Sequence, residues 1–372
     1  MIRVLHSVSN MDRAGIETML MNYYRHIDRT KIQFDFLCNK KKPGAYDEEI
    51  ISMGGRIFHT PGLIPTKYPQ YLEYMKDLFD KYPEYRIIEA HNGALGVYAL
   101  HAAKKNNIPV RIFHAHGASI TKDWKWPIKM FCKSRIRSNI NIKFTCGIAA
   151  AQCYYGKKVV QQSDYELIPN AIEVERFLYD SNVRMSLRHK YQLEKKHVVG
   201  HVGRFMAQKN HKFLISVFAE IAARDELATL VLLGDGELMM EIQKKVAQLN
   251  LIDRVIFVGN VENANEWYSA FDVFVLPSTW EGLPVVGVEA QAADLPCFFS
   301  SNITREIELS DKAYFLSLEA PISEWAKCII DKFDDTRRES RTTLITEAHY
   351  NIKVESKYLE KRYMELYGEQ TQ

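Results

Sequence analysis

Two successive series of short apolar runs, each run followed by an amphipathic helical stretch, constrain this chain more than any other feature. In the first series, runs rich in β-branched and aromatic residues fall at 2–8, 34–38, 86–91, 110–116, 143–149 and 165–169. Helical periodicity lies between them at 16–28, 68–81, 94–106, 127–138 and 152–160. A second series begins near 197, with runs at 197–203, 228–234, 254–259, 273–277 and 296–300 and helical stretches at 211–224, 236–249, 263–271 and 284–293. The runs of this second series are apolar on both faces, as strands are when helices cover a parallel sheet from two sides. At 372 residues the chain also exceeds the roughly 250–300 at which a single core stops growing. The expected fold class is therefore α/β, with two doubly wound Rossmann-like parallel-sheet domains. The first takes residues 1–180, with a C-terminal helix at about 352–372 packing back on it, and the second takes 181–351.

A hydrophobic fraction of 47% with 26% charged residues describes an ordinary globular chain and argues against disorder. The opening "MIRVLHSVSN" has neither a basic leader nor an apolar core long enough for a signal peptide, and no stretch reaches ~18 consecutive apolar residues. A cytoplasmic location is expected. The six cysteines show no CxxC spacing, so neither a zinc site nor a disulfide frame is indicated. Net charge is +3, but residues 1–175 hold 25 Lys+Arg against 17 Asp+Glu, whereas 176–372 hold 24 against 29. A basic front half suits an anionic surface or ligand.

In doubly wound domains the loops after the strands line the ligand site, and two such domains would open their strand ends onto one interdomain cleft. After 197–203 comes "GRFMAQKNH": Gly203 allows a sharp turn, while Arg204 and Lys209 place two cations beside the start of a helix, where free amides and the helix dipole add to the field. That combination suits a diphosphate. A solvated basic loop would read the same way in isolation. "LLGDGE" (232–237) again runs a strand into glycines, here Gly234 and Gly236, but lacks the third glycine of a dinucleotide fingerprint, so NAD is not favoured.

The stretch "STWEGLPVVGVEAQA" (278–292) is apolar yet carries two carboxylates, Glu281 and Glu289. Buried carboxylates need partners. Gly282 follows Glu281, and Pro284 fits the first turn of a helix whose free amides, on Val285 and Val286, would meet a phosphate. Helical rise keeps the two carboxyls roughly 8–12 Å apart, too far for the ~5–5.5 Å pair of a retaining glycosidase. They suit instead the two ends of a polyol ligand, Glu289 at a ribose diol and Glu281 at a sugar.

Taken in order, these motifs resemble the retaining family 4 glycosyltransferases of the GT-B architecture, exopolysaccharide and capsule types included. "EGLPVVGVE" matches the family's Glu-x7-Glu motif, "AGIE" (14–17) its N-terminal glycine loop, "IPNAIEVERF" (168–177) its Pro-Asn-Gly segment and "GRFMAQKN" its Gly-Arg…Lys element. The resemblance implies that Arg204 and Lys209 bind the donor diphosphate, Glu289 the ribose and Glu281 the transferred sugar near its reacting carbon, with Gly15 lining the cleft. It also implies front-face attack, in which the leaving phosphate accepts the acceptor's proton. Ala14 and Ala171 replace family glycines, and Glu173 a family aspartate.

The resemblance further implies that a histidine near "FHAHGAS" (113–119) contacts the donor sugar or reaction centre; His116, followed by Gly117, fits that place better than His114, although strand alternation points both the same way and leaves either open. The segment 121–143 carries seven Lys/Arg against one Asp, interleaved with Trp124, Trp126, Ile128, Met130 and Phe131. It suits either an ordinary basic helix over the sheet or the interface of an anionic bilayer, and the latter implies a lipid-linked acceptor and peripheral attachment to the cytoplasmic face. No nucleic-acid motif accompanies it. No Asp-x-Asp occurs, so a metal-independent enzyme without cofactor is expected, its substrates a nucleotide sugar (UDP by family frequency) and a glycan or lipid-linked acceptor. The rival readings are a nucleotide-sugar 2-epimerase of the same architecture and a noncatalytic two-lobed sugar-binding protein.

Overall fold

The computed structural model describes residues 1–120, 123–335 and 337–369. Among them, seven strands form one sheet: β1 (Ile2–Val8), β2 (Ile32–Cys38), β3 (Ile57–His59), β4 (Tyr85–Ala90), β5 (Val110–Ala115), β6 (Ile142–Thr145) and β7 (Glu166–Leu167). Their order is β3-β2-β1-β4-β5-β6-β7, with every pairing parallel. Six form another: β8 (His197–Val202), β9 (Ala228–Leu233), β10 (Val255–Gly259), β11 (Val273–Leu276), β12 (Cys297–Ser300) and β13 (Ala313–Leu316). Here the order is β10-β9-β8-β11-β12-β13, again all parallel.

The interior strands β2, β9, β11 and β12 are buried along their whole length, as expected for sheets with helices on both faces. Each sheet's two faces accordingly carry separate apolar layers. The sequence pattern omitted β3 and β13, which are half-exposed edge strands of three and four residues, too short to display a period.

The chain divides into two compact units, Met1–Ala171 with the stretch from Ile352 onward, and Ile172–Asn351. Residues 172–180 go with the second unit, because Ile172 and Val174 lie in its core beside Leu187 and Phe271. A helix begins at Ser181, where the Asp180 carboxylate accepts from the amides of Asn182 and Val183, an N-cap worth about 1 kcal/mol. The helix Ile352–Gly368 completes the first unit. Leu359, Tyr363 and Leu366 join the layer containing Val4 and Phe34, and Arg362 makes a bidentate ion pair with Glu166 at 2.7 and 2.9 Å. All six cysteines are free, and no helix among the described residues is long and apolar enough to cross a membrane.

Candidate functional site

In the second unit the chain starts at β8 and builds outward in both directions, so the strand order reverses between β8 and β11. Ligands of such sheets sit outside the carboxyl ends at that reversal. Three loops meet there and are stitched by backbone hydrogen bonds. The Phe205 amide donates to Asp235 O at 2.9 Å, that of Gly203 to Leu233 O at 3.0 Å, and that of Thr279 to Gln208 O at 2.8 Å. Gly234 has φ +125°, and a Cβ there would lie 2.2 Å from Gly203 O. The glycine is required because the β8 and β9 loops touch backbone to backbone.

Glu281 is the most heavily bonded side chain of this corner. Oε1 accepts from Lys209 Nζ at 2.7 Å and from Ser278 Oγ at 2.9 Å, and Oε2 accepts from Gln208 Nε2 at 2.9 Å. The motifs put Lys209 and Glu281 at different parts of a ligand, yet they form a nearly buried ion pair, with side-chain exposures of 14% and 10%. An ammonium has three donors, so Lys209 can hold Glu281 and still face an incoming anion. Arg204 is exposed, and no hydrogen bond or ion pair of its guanidinium occurs among the described residues. Gly282 continues the Glu281 loop toward the helix.

That helix runs Val285–Ala292, with Pro284 as the capping residue just before it rather than in its first turn. Pro284 offers no side-chain cap, and among the described residues no side chain hydrogen-bonds the amides of Val285 and Val286, which leaves the helix start available to an oxyanion. One turn in, Glu289 accepts from Tyr268 Oη at 2.6 Å. Burial pushes its carboxyl pKa up, against the opposing hydrogen bond from Tyr268 and the nearby Arg176 and Lys209 charges. Gln208, Ser278 and Tyr268 were missed as partners. Gln208 adjoins Lys209 in the quoted loop, but nothing local marks Tyr268.

In the first unit, Ala14 caps the helix Gly15–His26 in an extended conformation open to any residue, and a Cβ on Gly15 would meet nothing within 4 Å. The replacement of a family glycine by Ala14 is thus sterically free. His114 is fully buried, with Nδ1 2.8 Å from Glu89 Oε1 and Nε2 3.2 Å from Ile168 O. His116 stacks on it with ring centroids 4.1 Å apart. It is half-buried, Nε2 lies 2.9 Å from His91 Nδ1, and Nδ1 has no partner among the described residues. Of the two, only His116 has a ring nitrogen without a partner among the described residues, and that nitrogen is itself buried. Burial, reinforced by neighbouring histidines, holds His91 and His116 well below the usual imidazole pKa, and burial takes His114 to about 3, so all are neutral near pH 7.

Of 121–143, residues 121 and 122 lie outside the described residues. The helix Trp126–Asn139 follows, and Trp124, Trp126, Met130 and Phe131 are exposed, Trp124 at 82% and Phe131 at 61%. Lys125 sits 4.9 Å over the Trp124 ring and Arg135 5.2 Å over Phe131.

Residues 13–176 match the profile of Glycosyltransferase Family 4, and residues 196–335 that of Glycosyl transferases group 1. EpsF of Bacillus subtilis (strain 168), a glycosyltransferase by name, is 36% identical over 332 residues, 88% of this chain and 86% of that protein. The UDP-Gal:alpha-D-GlcNAc-diphosphoundecaprenol alpha-1,3-galactosyltransferase of Escherichia coli is 24% identical over 312 residues, 77% of this chain and 76% of that one. Among solved structures, Anabaena Alr3699/HepE in complex with UDP superposes with a TM-score of 0.72 at 16% identity, over 97% of this chain and 95% of that one.

Proposed function

The chain belongs to the family 4 glycosyltransferases, with the two doubly wound units of the GT-B architecture, and from that premise we propose that it moves a hexose from a UDP-sugar to a hydroxyl of a lipid-linked glycan in polysaccharide biosynthesis, with retention of configuration. The observation that carries this reading is the corner at the β8/β11 reversal. It joins an exposed Arg204 with no partner among the described residues, an uncapped helix start and two separately held carboxylates.

On this reading Arg204, Lys209 and the Val285 and Val286 amides neutralise the departing diphosphate without a metal ion, since fixed cations and amides supply the charge. Glu289 grips the ribose diol. Glu281, fixed by Lys209, Gln208 and Ser278, holds a sugar hydroxyl near the reacting carbon. In the first unit, His116 is the side chain read as a sugar contact. The leaving phosphate takes the acceptor's proton on the face it departs from. The named substrates of the Escherichia coli relative support both the uridine nucleotide and the lipid diphosphate. The exposed aromatic and basic face at 123–137 supports peripheral attachment to an anionic cytoplasmic membrane face.

The test is to incubate the purified protein with radiolabelled nucleotide sugars and membrane extract, with and without EDTA. Label should enter lipid in both. Isomerised donor would establish the epimerase instead, and unchanged donor with measurable binding a passive module. Transfer abolished by EDTA and restored by Mg2+ would overturn the metal-free account.

A further inference from the structure

The helices Val97–Lys105 and Trp126–Asn139 follow the neighbouring parallel strands β4 and β5 and pack side by side, so both run in one direction across the sheet. A cavity of about 660 Å³ lies along them, bounded also by Tyr68 at the start of the helix Tyr68–Lys81. That volume is in the range of lipid and small-molecule sites, about 300–1,000 Å³. It lies wholly within the first unit, on the flank of the segment that exposes Trp124, Trp126 and Phe131.

The two ends of this groove differ in chemistry. Toward the helix starts its lining is apolar. Val97 and Cys132 are buried there, Phe131 is exposed at the rim, and Tyr98 meets Tyr68 edge-on with ring centroids 5.1 Å apart. Toward the helix ends come Lys104, Lys105 and Arg135, all exposed. Lys104 Nζ donates to Ser138 O at 2.6 Å, which ties the two rims together. Among the described residues no carboxylate lines the cavity, and neither Lys105 nor Arg135 makes an ion pair.

An apolar trough ending in cations of one sign is the complement of an amphiphile with an oily tail and an anionic head. A second copy of this chain is a poor occupant, because in a two-fold dimer the same basic patch would meet itself. On its other flank the helix Trp126–Asn139 borders a smaller cavity of about 330 Å³. Its guanidinium, Arg137, is already bonded to Tyr155 O, so the larger groove is the better seat.

We propose that this groove seats one acyl chain of an anionic phospholipid, with the lipid phosphate held by Lys105 and Arg135. This rests on the reading of 123–137 as a membrane contact, and it adds a saturable lipid site to what charge and exposed aromatics alone would make a diffuse attraction.

Calorimetry of the full chain with dioctanoyl phosphatidylglycerol, kept below the concentration at which it forms micelles, separates the groove from the bilayer. One lipid should bind per chain, about tenfold or more tightly than dioctanoyl phosphatidylcholine, and glycerol phosphate alone should not bind measurably. Lys105→Glu with Arg135→Glu, both at exposed positions, should weaken binding about tenfold or more, the scale of two basic residues at an anionic head. Cys132→Phe, which fills the apolar end, should do likewise. If it does not fold, Ser138→Trp narrows the groove from its exposed rim. Equal binding of the two lipids, glycerol phosphate binding as tightly as the lipid, or an affinity unmoved by these substitutions would overturn the proposal. Sedimentation with anionic vesicles judges the membrane contact separately. Sedimentation without uptake of the soluble lipid would refute the groove and leave that contact standing, whereas uptake without sedimentation would support the groove and refute the contact.

Discussion

Lys209 Nζ lies 2.7 Å from Glu281 Oε1, so the cation assigned to the leaving group also orients the carboxylate assigned to the sugar. Lys209→Met should impair both. Nucleotide affinity should fall at least tenfold, and loss of one partner of a largely buried bond should cost about 1–3 kcal/mol of stability. The double variant Lys209→Met with Glu281→Gln should recover part of that stability but none of the activity. Urea titration and calorimetry of UDP binding read the two effects, and additive stability losses would refute the coupling.

Arg204 separates binding from folding. Because its guanidinium is exposed and makes no hydrogen bond or ion pair among the described residues, Arg204→Ala should change stability by less than about 0.5 kcal/mol. UDP affinity should drop about tenfold or more, and its dependence on salt should flatten. Affinity unchanged from native would remove Arg204 from the diphosphate site.

Glu289 gives a signed pH effect. Burial holds its folded-state pKa above the ordinary 4.5, so the stabilisation from its neutral form is complete below pH 4.5 and is lost as pH rises through the folded-state value. Glu289→Gln keeps an acceptor for Tyr268 and never ionises. It should melt above the native protein at about pH 8, and the gap should close toward about pH 4, with donor affinity reduced throughout. A gap that widened in acid would reverse the assignment.

Two glycines with positive φ should respond differently to alanine. At Gly234 the new Cβ would strike Gly203 O at 2.2 Å as well as suffer φ +125°, so the cost should exceed about 2 kcal/mol and donor binding should fall with it. At Gly259, φ is +79° but the space is open, so only the conformational cost of about 1–2 kcal/mol is expected. Equal losses in chemical denaturation would refute the backbone contact.

Trp124→Ser with Phe131→Ser should leave the melting temperature within a degree or so, because both rings are exposed. Sedimentation with vesicles containing anionic phospholipid should be much reduced, as should the salt-sensitive part of that binding. Undiminished sedimentation would make this face an ordinary helix surface.

The interior strands were legible because both their faces are apolar, and the loops after β8 and β11 because Arg204, Lys209, Glu281 and Glu289 stand out against apolar neighbours. What holds those side chains was not. Tyr268 reaches Glu289 across 21 residues and Gln208 reaches Glu281 across 73, separations at which no local period operates. The buried histidines of the first sheet are the same case. His6 Nδ1 and His91 Nε2 meet at 3.0 Å only because β1 and β4 pair at the centre of that sheet, although "RIIEAH" and "FHAHG" did display His91, His114 and His116 at strand ends.

The helix Ile352–Gly368 has a consequence for synthesis on the ribosome. It supplies Tyr363 to the cluster around Glu89 and Leu359 to the layer beneath β1, yet it is translated after the whole of the second unit. The second unit can therefore fold as it emerges, whereas the first must wait with a core face uncovered until the last helix arrives. Nascent chains stalled before residue 352 should accordingly be open to protease throughout their N-terminal half.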